Sequence, residues 1–173
     1  ESLRIRSDNF LNGRTNSRRE VNNSLAIIRQ LRDTLNNHLL FDLALDAQRT
    51  VANYLEQISL KEKSVISQAS LAQGNLAWQA IFARQNTVAY AAAKRALDLD
   101  PQAEWVNTNL ALAELFLGNR EAAKSIYLRH KDKPFPNDPA GRDFRAVFRA
   151  DLAELAAAGI VPKRRKEVNR WLD

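Results

Sequence analysis

Cysteine and methionine are both absent from these 173 residues. Without thiols there are no disulfides, no thiolate zinc sites and no cysteine nucleophile, and the redox compartment is left unmarked. Histidine occurs twice, as His38 and His130, and neither stands in an H-E-x-x-H spacing that would hold a metal. Glycine and proline number five each, too few for a chain of many tight turns and suited to a few long helices. The glycines stand singly, so no phosphate-cradling loop, Walker signature or nucleophile elbow is spelled out. Catalysis, cofactors and metals are therefore not expected. No stretch approaches the roughly 20 uninterrupted apolar residues that cross a bilayer as a helix. The chain opens with Glu1 and shows no signal peptide. We expect an excised domain or a processed product, cytoplasmic or periplasmic, whose parent is not described by the addresses missing here.

What is present is ordinary in proportion: 45% apolar and 27% charged residues, enough for one domain or one short solenoid with a real core. The net charge of +6 is uneven. Arg4, Arg6, Arg14, Arg18 and Arg19 gather near the start, and Lys163, Arg164, Arg165 and Lys166 near the end. In between, Asp98, Asp100, Glu104, Glu114 and Glu121 offset the cations. A basic track with interleaved aromatics, the usual mark of a non-specific nucleic-acid binder, is missing. The clusters read first as solvated surface. Binding of nucleic acid or an anionic surface through them is the alternative function.

The apolar periodicity is helical nearly throughout. Residues 1–16 form a lead-in without pattern. Ser17 to Glu20 has the form of a capping box, and behind it Val21, Leu25, Ile28, Leu31, Leu35 and Leu39 make one apolar stripe. That stripe has few obvious intramolecular covers, so a homodimer through the N-terminal helices is a further possibility. Leu43, Ala47, Val51, Tyr54, Leu55 and Ile58 point inward from residues 40–59. Asn36, Asn37 and His38 can break this region into two helices, but one long bent helix fits the pattern as well.

From residue 61 onward the chain echoes itself. Asn75, Leu76, Ala77, Phe82 and Ala89 return 34 positions later as Asn109, Leu110, Ala111, Phe116 and Ala123, the period of stacked helical hairpins. The first unit, about 64–101, pairs a helix over 64–84, carrying Leu71, with a return over 88–98, capped by Asn86 or Thr87 and stopped before Pro101. The second, about 104–130, turns at Gly118 and Asn119, with Gly118 in left-handed backbone and Asn119 capping the return. Residues 131–142 hold three prolines and form an extended connection. A third unit, about 143–173, repeats Leu112 to Leu115 as Leu152 to Leu155, and a closing helix after Pro162 packs Val168, Trp171 and Leu172 inward. Ala89 and Ala123 are expected at the closest helix approaches, whereas Ala72 should tolerate a larger side chain.

The two central units resemble the tetratricopeptide repeat family, whose pattern runs W-x2-L-G-x2-Y, A-x3-F, P. They read Gln73-x2-Leu76-Ala77-x2-Ala80, Ala89-x3-Ala93, Pro101 and Asn107-x2-Leu110-Ala111-x2-Glu114, Ala123-x3-Tyr127, Pro134. The Trp and first Tyr positions depart from the pattern, and Arg84 stands where the second unit has Gly118. The resemblance implies an all-α, right-handed solenoid of antiparallel hairpins, with residues 17–60 as extra N-terminal helices packed on repeats over 61–173. It further implies a non-catalytic scaffold or adaptor, bacterial in type, which holds a peptide or neighbouring domain in its concave face. The matching groove positions are Trp78, Phe82, Trp105, Thr108, Asn109, Leu112 and Arg149.

Overall fold

Long helices joined by short breaks are what the low glycine and proline content permits. The computed structural model describes residues 18–173, and over these the chain forms eight α-helices. They are α1 (Arg18–Asn37), α2 (Phe41–Ser59), α3 (Ile66–Phe82), α4 (Asn86–Leu99), α5 (Asn107–Leu117), α6 (Arg120–His130), α7 (Phe144–Ala157) and α8 (Arg165–Leu172). Single 3-10 turns, Lys63–Val65 and Glu104–Val106, lead into α3 and α5. The described residues include no strand; one antiparallel bridge joins Pro134 to Asp143. The lead-in segment, the Ser17 cap and the side chains of the N-terminal arginine cluster lie outside the described residues.

Four breaks share one geometry. Leu39, Arg84, Gly118 and Gly159 each take a left-handed backbone, with φ of 59°, 58°, 87° and 72°. At each, the following N–H reaches back five residues: Leu40 to Leu35, Gln85 to Ala80, Asn119 to Glu114 and Ile160 to Leu155, at 2.8–2.9 Å. These are complete Schellman endings, which satisfy the carbonyls a helix leaves open. They close α1, α3, α5 and α7, so each odd helix turns back into the even helix after it. The region before residue 60 is thus two helices, not one. Gly118 takes the expected conformation. Asn119 differs: its amide donates to Glu114 Oε2 at 2.7 Å rather than capping α6. Neither Asn86 nor Thr87 caps α4, which begins after Gln85 without a side-chain cap.

Each helix packs on its sequence neighbours, and α3 also meets α5, and α5 meets α7. The contacts are close because the facing residues are small: Ala69, Ala72, Ala77 and Ala80 on α3, and Ala89, Ala92, Ala93 and Ala96 on α4, are all buried. Ala72 is therefore core, contrary to its expected tolerance. Buried polar side chains set the register between helices. Gln48 donates to the Ala72 carbonyl, Ser70 to that of Ala96 and Asn109 to that of Gly74, each at 2.9 Å. Glu56 on α2 gathers Gln73 from α3 and Arg95 from α4, at 2.6 and 2.7 Å.

The inward face of α2 is Leu45, Gln48, Val51, Ala52, Tyr54, Leu55 and Ile58. Leu43 instead lies 55% exposed, one position off the buried stripe. Among the described side chains of α1 only Leu25 is fully buried, with Ile28 packed at its edge; Ile27 and Leu31 remain on the surface, and the Val21 side chain lies outside the described residues. Leu71 on α3 is exposed too. At the other end the connection over 131–142 is non-helical, but instead of running extended it folds back through turns, with Gly141 N–H donating to Asp138 O and Phe135 N–H to Arg142 O. Asp143 caps α7 by accepting from Ala146 N–H at 2.8 Å. Val168, Trp171 and Leu172 pack inward as expected, beside Tyr127, Phe144 and Phe148. Arg120 lies over the Trp171 ring, 5.5 Å from its centroid, and pairs with Glu167.

Candidate functional site

The seven groove candidates divide into an interior set and a surface set. Leu112 is core at 1% exposure, and Thr108 and Asn109 are equally closed off, both 4% exposed. The Thr108 hydroxyl donates to the Trp105 carbonyl, and the Asn109 amide is committed to Gly74. Trp105 is half-buried, the tip of its indole set against Gly74, where a Cβ would come within 2.3 Å of Cη2. These four residues join α5 to α3. None of Thr108, Asn109 and Leu112 presents a face to a ligand. Arg149 is exposed and held by Asp173 at 2.7 Å, at the far end of the molecule.

Trp78 and Phe82 are placed differently. One turn apart at the end of α3, they meet edge to face with centroids 5.0 Å apart, and Phe41 from the start of α2 stacks on Phe82 at 5.1 Å. The three rings form one wall of a cleft of about 310 Å³. The α1–α2 turn closes one side with Asn36, Asn37 and Leu39, and the last turn of α7 closes the other with Glu154, Ala157 and Ala158. Gln79 completes the floor. Its side chain is 6% exposed and its Oε1 has no donor, and Asn36 Oδ1 is a second buried oxygen without a partner. The cleft thus offers aromatic surface and the Glu154 carboxylate, with two buried, unsatisfied amide oxygens beneath, and no cation lines it. In a chain of net charge +6, this is a place for a hydrogen-bond donor or a positive charge with an apolar stem.

Sequence reasoning missed Phe41, Asn36, Gln79 and Glu154. Gln79 carried a signal, since an amide inside the apolar run from Leu76 to Ile81 needs a partner once buried. The other three are brought in from α1, α2 and α7 by the fold.

The C-terminal basic run does not form one track. Lys163 and Arg164 line a separate hollow between the helix turns, Arg165 sides with Arg149, Asn169 and Asp173, and Lys166 faces water. Arg164 also pairs with Glu167 at 3.2 Å. The perturbed titratable groups lie elsewhere. Burial pushes the Asp151 carboxyl up to about 7, with Glu154 adding to the shift. Burial lifts the Tyr54 phenol to about 12 and raises Tyr127 further still. Burial, seconded by Lys133, lowers His130, whose Nδ1 has no partner. None of these groups lines the aromatic cleft. Among the described residues, no cluster of acids and histidines could hold a metal ion, and no helix is long and apolar enough to cross a membrane. Comparison with protein-family models, curated proteins and solved structures finds no match to this chain.

Proposed function

We propose that this chain is a non-catalytic, tetratricopeptide-like scaffold that docks a segment of another protein, or of a neighbouring domain of its parent, in the cleft beside Trp78 and Phe82. The cleft carries the reading: an aromatic wall, two unpaired amide oxygens and one carboxylate converge where odd helices approach each other. Supporting it are the identical turns that close α1, α3, α5 and α7 and the contacts of α5 with both α3 and α7. These are the features expected when hairpins stack with their first helices on one side. The preferred segment carries a Lys or Arg whose methylene stem lies on the rings and whose head reaches Glu154 and Gln79.

Selection from a displayed peptide library tests this. Peptides enriched on the wild type should contain a basic residue beside apolar ones. Their affinity, measured by calorimetry, should fall at least about tenfold in Glu154→Lys, the loss expected when an attractive charge contact becomes repulsive. Glu154 is exposed, so the melting temperature should barely change. Enriched peptides indifferent to both Glu154→Lys and Trp78→Ala would refute the site. The split of the C-terminal basic run weighs against the nucleic-acid alternative, since its charges diverge to different faces.

A further inference from the structure

The turns that close α3, α5 and α7 meet around one hollow of about 630 Å³ on the molecule, within the range of ligand sites. Its floor is apolar, built from Ile81, Leu115, Phe116 and Ile160, and exposed Leu117 and Val161 extend that surface to its mouth. Three cations line it, Arg84, Lys163 and Arg164, and no carboxylate does. The left-handed residues of all three turns contribute: Arg84, Gly118 and Gly159. Two of them are glycine, the residue that takes this backbone without strain. The third is an arginine, at a conformation that costs an L-residue about 1–2 kcal/mol. Its guanidinium crosses the hollow to donate to the Gly159 carbonyl at 3.3 Å. Strain of this kind persists where the surrounding structure holds it in place, and it clusters at binding and switch sites.

We infer that this hollow is a second docking site, separate from the aromatic cleft, for an acidic partner peptide whose Leu or Phe side chains enter the apolar floor while its carboxylates meet Arg84 and Lys163. Charge complementarity selects this occupant: Arg164 is already paired with Glu167, but Arg84 and Lys163 have no acid beside them among the described residues and need anions, and a floor of four apolar side chains needs more than a bare anion. A nucleic-acid backbone would leave that floor empty and would want a continuous track, which the divergent basic run does not supply.

Fluorescence anisotropy of a short fluorescein-labelled peptide alternating Asp with Leu and Phe tests the inference on the whole chain. The wild type should bind it, with affinity falling as salt is added. Arg84→Gly should weaken binding about tenfold, the worth of one charged hydrogen bond, while the melting temperature stays level or rises as backbone strain is relieved. Lys163→Glu, at an exposed position with no role in packing, should weaken it as much. A peptide with Ser in place of Leu and Phe, and single-stranded DNA, should both bind more weakly than the apolar acidic peptide. Absence of wild-type binding, indifference to both substitutions, or equal binding of the Ser peptide or the DNA would each overturn the inference. None of these outcomes bears on the aromatic cleft, which Glu154→Lys probes independently.

Discussion

Gly74→Ala should destabilise this protein even though alanine is the better helix former. In an open helix interior the exchange gains roughly 0.5–1 kcal/mol. Here the new Cβ would lie 2.3, 2.9 and 3.2 Å from Cη2, Cζ2 and Cζ3 of Trp105. The obstacle is the body of a rigid indole, so the ring must move outward by about 1 Å to regain ordinary contact. Trp105 cannot move alone, because its turn is fixed by buried Ala103 and Val106 on either side. Overpacking of this sort costs about 1–3 kcal/mol. After the propensity gain is subtracted, a net loss of roughly 0–2.5 kcal/mol remains, about 1 kcal/mol at mid-range, which lowers the melting temperature by roughly 2–4 °C in a domain of this size. Urea denaturation followed by circular dichroism measures the difference. In a Trp105→Ala background the obstacle is gone, and the same exchange should stabilise by about 0.5–1 kcal/mol. The change of sign is the signature of direct coupling. An equal effect of Gly74→Ala in both backgrounds would refute the packing argument.

Two further outcomes follow from burial. Asp151 is half-buried, with no hydrogen bond or ion pair among the described residues, and burial raises its carboxyl to about 7. The folded protein therefore keeps a proton that the unfolded chain releases, and stability falls as pH rises from about 4 to about 7. Asp151→Asn should match the wild type near the acid end of that window and melt higher above it; a constant difference at every pH would contradict the assignment. Leu in place of Ala72, Ala89 or Ala123 should cost about 1–3 kcal/mol at each site, since all three are buried. A tolerant Ala72 in chemical denaturation would show that the α2–α3 contact is looser than drawn.

The helices from residue 61 onward were legible because periodicity and punctuation agree there: Gly118 ends α5, Pro101 follows α4, and Val168, Trp171 and Leu172 close the end. The turn after Arg84 was legible in position and the break before Leu39 was one of two readings, but their geometry was not legible, since neither residue advertises a left-handed backbone and the cost of adopting it is met by tertiary packing. The facing of side chains was harder. α3 and α5 lie between neighbours and are apolar on most sides, so no single stripe says which side meets which partner. Asn109 and Leu112, placed in the groove by the repeat pattern, lie on a helix that has no wet side at their level. Leu43 and Leu31 show the converse, apolar residues left outside because the neighbouring helix covers only a narrow band. The cleft was least legible, because its parts come from α1, α2, α3 and α7 and no local window contains them.

The three amide and hydroxyl bonds from Gln48, Ser70 and Asn109 to the carbonyls of Ala72, Ala96 and Gly74 have a mechanical consequence. A smooth alanine seam would let one helix slide along the next at little cost. Sliding by one residue turns each side chain by about 100°, which would leave these donors facing hydrocarbon at about 1–3 kcal/mol apiece. The seams therefore have teeth. Force applied along the stack is resisted between the helices and passes to the turns, where the two hollows lie, so a partner pulling at one turn would strain the backbone around the next before any helix slipped.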